Sequence, residues 1–350
     1  MIVYADNAAT TPIDDAVRAY MDECAELYGN PHCDHAKGKE AREIVENARN
    51  TIAQKINAEP EEIIFTSGGT EANNLAIRQA NGHVITTAAE HVSLLKPVKY
   101  SGQDYTILPV DSTGRVDIEQ LQEEIYDDTT LISVIYANNE MGTIQNIAEI
   151  SKMAKMYGVC FHTDAVAAFG HFNIDVKALG IDMMTLSAHK IYAPKGVGVL
   201  YANKNIDIEP LIYGGGTPNV QGIAGFGKAV EISTHYDVKE LTDKLRVGIE
   251  NNVSDVFFNS NGLPNILNVC FINADGRELV RKLSERGIYV SQGSCGNRGT
   301  SHVLMAIGLT KAQAESSIRF SFGKYNTLEE IDYILEILPE LVNNLRAKRG

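Results

Sequence analysis

The sequence predicts a doubly wound α/β protein: a large domain with a mostly parallel seven-stranded sheet, and a smaller α+β domain beside it. Three observations carry this expectation. Strand-like and helix-like segments alternate over residues 14–240, the order that builds parallel sheets. Several strand candidates are near-continuous Val, Ile and Leu runs, as in a sheet covered on both faces. The chain has 350 residues, 44% of them hydrophobic, which exceeds the length at which a single core usually stops growing.

Taken in order, Pro12 precedes a helix over residues 14–28. Residues 37–56 carry Ala41, Ile44, Val45, Ala48, Ile52, Ala53 and Ile56 at the spacing of one face of a long helix. Seven strand candidates follow, at 62–66, 83–87, 105–109, 131–136, 159–163, 183–187 and 197–201. Helices are expected between them at 71–79, 118–125 and 147–157. From Leu241 onward the pattern changes, to strands at 266–272 and 318–321 and helices at 276–286, 301–306 and 328–344. The expected division is therefore 14–240 for the large domain, and 1–13 with 241–350 for the small one. No internal repeat or low-complexity linker interrupts it.

Composition narrows the function. The net charge is −14, and Lys and Arg are scattered, which argues against a nucleic-acid surface. Five cysteines, Cys24, Cys33, Cys160, Cys270 and Cys295, form no CxxC pair, so neither a disulfide framework nor a structural zinc site is suggested. Cys24, Cys160 and Cys270 fall on helix and strand patterns and read as core. Cys33 lies among His32, Asp34 and His35, but no further spaced ligands complete a metal site, and no metal is expected. No apolar run approaches the ~20 residues of a membrane span, and residues 1–6 lack signal-peptide character. A cytoplasmic enzyme is the expectation.

The chemistry concentrates at strand ends, where ligands bind in open α/β sheets. Ser187-Ala188-His189-Lys190 closes one strand and Asp164 closes another. A lysine amine attacks carbonyls once its surroundings lower its pKa, and a pyridinium nitrogen needs an acid partner. Lysine and aspartate at neighbouring strand ends therefore suggest pyridoxal 5'-phosphate (PLP). Such a cofactor needs a phosphate site. Thr66-Ser67-Gly68-Gly69-Thr70 leaves a strand through two glycines into a helix, whose free N–H groups and Thr70 hydroxyl suit a dianion. The same residues also read as a plain glycine turn with Thr70 as a helix cap. His91 and Asn139 close two further strands; each reads either as a cofactor or substrate contact or as an ordinary strand-end polar group.

Taken together these segments resemble the cysteine desulfurase family (NifS/IscS-like) of the class V aminotransferase superfamily. The matches run in order: residues 4–12, Tyr28-Gly29-Asn30-Pro31, residues 64–75, Asn138-Asn139-Glu140-Met141-Gly142, Ser187-Ala188-His189-Lys190 and residues 316–321. The resemblance implies the PLP-dependent transferase fold type I and a homodimer acting on L-cysteine, with sulphur passed to a sulphur-acceptor or scaffold protein. It implies that Lys190 holds the cofactor's aldehyde, Asp164 pairs with its ring nitrogen, and His91 stacks on the ring and relays protons. Gly69, Thr70, Ser187 and His189 would hold the phosphate, and Asn139 and Arg319 the substrate carboxylate. Thr217, after three glycines, resembles the residue that reaches the partner subunit's phosphate. Cys295 is the implied sulphur-accepting nucleophile, with Arg298 nearby to favour its thiolate, and Cys33 is a possible second thiol.

Three positions depart from the family pattern. Ala167 stands where the family has a glutamine facing the cofactor ring. The stretch between Gly216 and Thr217 is shortened, and so is the cysteine loop, which leaves either Cys295 or Gly296 at the nucleophile position. Two alternatives therefore stand beside the desulfurase. One is a related PLP enzyme, a selenocysteine lyase, C–S lyase or aminotransferase, that does not use Cys295. The other is a catalytically weakened homologue acting as a binding subunit.

Overall fold

The alternating segments build one central sheet. The computed structural model describes residues 1–234, 236–293 and 299–347. Its strands, in chain order, are β1 (Val3–Tyr4), β2 (Ile63–Thr66), β3 (His83–Thr87), β4 (Tyr105–Leu108), β5 (Thr129–Ser133), β6 (Cys160–Asp164), β7 (Met183–Ser187), β8 (Gly198–Ala202), β9 (Val256–Phe258), β10 (Ile266–Phe271), β11 (Ile288–Tyr289) and β12 (Ser317–Ser321). Seven of them form one sheet in the order β2-β8-β7-β6-β5-β3-β4. Neighbours from β4 to β7 are parallel, and only β8 runs against the rest. The expected α/β architecture, with its mostly parallel seven-stranded sheet, is thus observed.

Every residue of β3, β7 and β8 is buried, as a sheet covered on both faces requires. His162 ties three strands together: Nδ1 meets Ser133 Oγ at 2.7 Å and Nε2 meets Thr185 Oγ1 at 3.0 Å. Burial pushes its pKa down to about 3, so it serves as a neutral cross-strand tie.

Several strand boundaries shift by a residue from expectation, and β5 shifts furthest. The strand expected at 131–136 is β5 at Thr129–Ser133; beyond it Val134 and Ile135 stay buried, and the Val134 and Tyr136 N–H groups still donate to the His162 and Asp164 carbonyls at 3.1 and 2.9 Å.

The remaining strands form an antiparallel sheet β12-β10-β9 and a parallel pair β1-β11. Single bridges from Asp6 to Ser321 and from Ser291 to Arg319 join these two pieces. Helices Lys239–Asn252, Gly276–Glu285 and Leu328–Ala347 cover them. Two large apolar clusters result. One contains Ile52, Ile85, Phe161, Leu186 and Phe226; the other contains Leu245, Val269, Phe320 and Leu338, together with Val3 and Ala5. Among the described residues no helix is long and apolar enough to cross a membrane.

Candidate active site

Strands β2, β3, β6 and β7 run in one direction, so their carboxyl ends share one edge of the sheet. A cavity of about 240 Å³ opens there, lined by Gly69, Thr70, Asn73, His91, Asn139, Asp164, Ser187, His189, Lys190 and Arg319, among others. Of the residues expected to hold the cofactor or the substrate, it gathers all but Thr217. Thr217 is exposed and accepts a hydrogen bond from Asn30 Nδ2 at 3.3 Å, outside the cavity of a single chain. Cys33 is half-buried in a loop and does not line the cavity. Cys295 lies outside the described residues.

Lys190 ends a single 3₁₀ turn that follows β7. Its Nζ donates to the carbonyl oxygens of Ala8 and, at 2.9 Å, Ala9, so the N-terminal segment supplies the amine's acceptors. Two residues on, Tyr192 has φ 66°, a left-handed backbone that costs a bulky residue about 1–3 kcal/mol and needs outside support. Thr11 and Asp14 give it: the Tyr192 N–H donates to Thr11 Oγ1 at 2.8 Å, and the Asp14 N–H donates to the Tyr192 carbonyl at 3.0 Å.

Asp164, 4% exposed, accepts from Asn73 Nδ2 at 2.8 Å and from the Val166 N–H at 3.0 Å. The two donors fix the carboxyl group in the cavity wall, where it can meet a ring nitrogen. Asn73 was not picked out from sequence. Its signal was a polar residue on the buried face of a helix, beside Ala72, Leu75 and Ala76.

The helix Gly69–Arg78 opens without a side-chain cap, which leaves its first N–H groups for an anion. Gly68 takes φ 148° there, a conformation suited to glycine. Gly198 on β8 is equally required. A Cβ at that position would lie 2.6 Å from the Gly68 carbonyl carbon, so only glycine lets the turn settle against the sheet. Ser187 and His189 complete the rim. Burial, reinforced by the charges of Lys190 and Lys195, pushes His189 down to about 4, which makes it a neutral hydrogen-bonding group.

At the other end, Arg319 is fully buried. One guanidinium nitrogen donates to the Asn139 carbonyl at 2.7 Å and another to Asp6 Oδ1 at 2.7 Å. Its Nε is buried with no partner among the described residues, a donor awaiting an acceptor.

His91 caps the helix Val92–Tyr100. Burial lowers its pKa, and the Lys190 charge adds to this, while Asp164 opposes it. Behind it Glu90 is fully buried and accepts from the Ile135 N–H at 2.9 Å and the Thr87 hydroxyl at 2.8 Å. Burial pushes its carboxyl up to about 8. Of the cysteines expected in the core, Cys24 and Cys270 are buried, whereas Cys160, first in β6, is only partly so. Burial raises the thiol pKa of all three, which makes them poor nucleophiles.

The donor set fits PLP. There is an acidic side chain fixed by two donors, an amine at a strand end, an uncapped helix start beside Thr70, and a buried arginine with one unmet donor, all lining one cavity. Ala167 lines the same cavity and brings no donor of its own.

Comparison with known proteins agrees with this arrangement. The model of the class-V aminotransferase family matches residues 3–334. The chain belongs to the class-V aminotransferase family. Within it, the cysteine desulfurase IscS of Dictyoglomus turgidum is 43% identical over 376 residues, covering 99% of this chain and 95% of that protein. That of Methanosarcina thermophila is 41% identical, covering 98% and 93%. Among solved structures, a NifS-like protein superposes with a TM-score of 0.93 at 37% identity, covering 99% of this chain and all of that one. SspA in complex with cysteine gives 0.84 at 36% identity, covering 93% of this chain and 100% of that one.

Proposed function

We propose that the protein is a PLP-dependent cysteine desulfurase, converting L-cysteine to L-alanine and passing the sulphur to an enzyme cysteine as a persulfide. The observation that carries this reading is the meeting of Lys190, Asp164 and Arg319 in one cavity, within a chain about 40% identical to IscS proteins over nearly its whole length.

Bound there, the cofactor supplies an aldehyde for the substrate amine and a ring that draws electrons from the substrate α-carbon. The protein's residues do the rest. Lys190 exchanges a proton with the substrate α-carbon, and the nearby Ala8 and Ala9 carbonyls orient its amine. Asp164, held by Asn73 and the Val166 N–H, presents a carboxylate to a protonated nitrogen. The uncapped helix start with Gly69 and Thr70, together with Ser187 and His189, holds the phosphate. Arg319 offers its free Nε to the substrate carboxylate, with Asn139 alongside it. The Cys295 thiolate attacks the substrate sulphur. The S–S bond forms as the Cβ–S bond breaks, and the released electron pair takes up a proton to give alanine.

The same reading assigns residues 14–240 to the cofactor-binding domain, and residues 1–13 with 241–350 to the smaller one. It makes the working unit a homodimer whose Thr217 reaches the partner's phosphate, and it places the enzyme in the cytoplasm with an acceptor protein for the persulfide sulphur. The test is alanine formation from L-cysteine by the PLP-loaded protein and by Cys295→Ala. Turnover abolished by the substitution, with cofactor absorbance retained, is the expected result. Unchanged turnover would instead favour a lyase or aminotransferase that does not use Cys295. A PLP-loaded protein that turns over no amino acid would favour the binding-subunit alternative.

A further inference from the structure

The hydrogen bonds behind His91 decide which of its ring nitrogens carries the proton. The Ser93 backbone N–H donates to His91 Nδ1 at 3.2 Å, forming the helix cap. A backbone N–H only donates, and at this length it biases Nδ1 towards presenting a lone pair without fixing it alone. Ser93 Oγ lies 2.7 Å from the same Nδ1 and also accepts from Asn73 Nδ2 at 2.9 Å. The Asn73 amide is oriented in turn by Asp164, whose carboxylate accepts from that same Nδ2 at 2.8 Å. Donation therefore runs one way, from Asn73 to Ser93 to His91 Nδ1, which leaves the ring proton on Nε2.

We propose that Asn73 and Ser93 are positioning residues that lock His91 as its Nε2–H tautomer, so that His91 works in the cavity as a hydrogen-bond donor rather than as the proton-accepting base. A neutral imidazole fixed this way has no lone pair left for a substrate proton. That duty falls to Lys190. Protonating Nδ1 would break the helix cap and reverse the serine hydroxyl, so the ring also resists becoming cationic. The charged and titratable groups acting on it are Asp164, Lys190, Glu140 and His302, with the neutral Glu90 next in sequence. The opposing effects of Asp164 and Lys190 leave burial as the deciding influence. The catalytic consequence rests on the desulfurase reading; the tautomer does not.

Nitrogen NMR of the PLP-loaded protein, labelled with ¹⁵N-histidine, tests the lock without any turnover. The His91 signals are identified by their disappearance in His91→Asn. Nδ1 is expected to resonate as a bare, pyridine-type nitrogen and Nε2 as a protonated one, throughout pH 6–8. Ser93→Ala is expected to admit the Nδ1–H tautomer measurably, and Ser93→Thr to restore the wild-type pattern. A wild-type ring protonated at Nδ1, or a cationic ring in that range, overturns the proposal; so does a Ser93→Ala spectrum identical to wild type.

Discussion

Replacing Glu90 by glutamine tests the burial behind the active site quantitatively. Glu90 is fully buried, and two donors occupy one carboxyl oxygen while the other has no partner among the described residues. Burial raises its pKa from 4.5 to about 8. In that interval the folded protein keeps a proton that the unfolded chain releases. The group's favourable contribution is therefore complete below pH ~4.5, declines as pH rises, and is lost by about pH 8. At about 1.4 kcal/mol per pH unit, the accumulated loss is about 3 kcal/mol at pH 7 and at most about 5 kcal/mol above pH 8. Glutamine has the same shape and does not titrate. Glu90→Gln is thus expected to be level with, or slightly less stable than, the wild type near pH 5, and more stable by about 2–4 kcal/mol at pH 8.5. Urea unfolding midpoints of both proteins from pH 5 to 9, at a fixed saturating PLP concentration, give the comparison. Parallel curves across that range would refute the reasoning, because they would mean that the Glu90 carboxyl titrates alike in the folded and unfolded states.

Two further substitutions address the cofactor and substrate ends of the cavity. Gly198→Ala places a methyl 2.6 Å from the Gly68 carbonyl carbon. The turn must move, at about 1–3 kcal/mol, and PLP affinity measured by fluorescence titration should fall at least tenfold while far-UV circular dichroism is retained; undiminished affinity would detach that turn from the phosphate. Arg319→Lys keeps the charge but loses the fork that reaches Asp6, the Asn139 carbonyl and the cavity together. A charged hydrogen bond is worth about 2 kcal/mol, so KM for L-cysteine should rise about 30-fold with cofactor absorbance intact, whereas an unchanged KM would remove Arg319 from substrate binding.

Some of this architecture is plain in the sequence. Strands β3 and β7 and the helix Ile147–Tyr157 fall at the expected residues, because punctuation bounds them; Gly158, for example, ends that helix with φ 69°. Other elements are disguised. The helix Val92–Tyr100 contains Pro97, which reads as a breaker. The helix Val220–Glu231 contains Gly222, Gly225 and Gly227, which reads as a loop. Packing demands those glycines: a Cβ at Gly227 would lie 2.6 Å from the Ala48 Cβ, and one at Gly225 would lie 2.6 Å from Met21 Sδ. Hydrophobicity marks burial rather than a strand's end, and for that reason the run through Ile135 overshoots β5, although the Val134 and Tyr136 N–H groups still bond to β6.

The site divides in the same way. Lys190, Asp164, His91 and Thr70 are legible because each closes a strand or opens a helix in a sheet whose ligand edge is known from its topology. Asn73, Ser93 and Glu90, and the carbonyls of Ala8 and Ala9, are not. They matter through contacts between segments far apart in sequence, as from Asn73 to Asp164 or from Lys190 to Ala8, and no local pattern encodes these.

The identity of the lysine that carries the cofactor is open to direct measurement. Borohydride reduction of the PLP-loaded protein fixes the cofactor to whichever amine holds it, and peptide mass mapping then reads the position. Nearly all of the added mass is expected on the peptide containing Lys190, with none retained by Lys190→Ala. Mass on Lys195, Lys324 or any other lysine, or no fixed cofactor at all, would contradict the account.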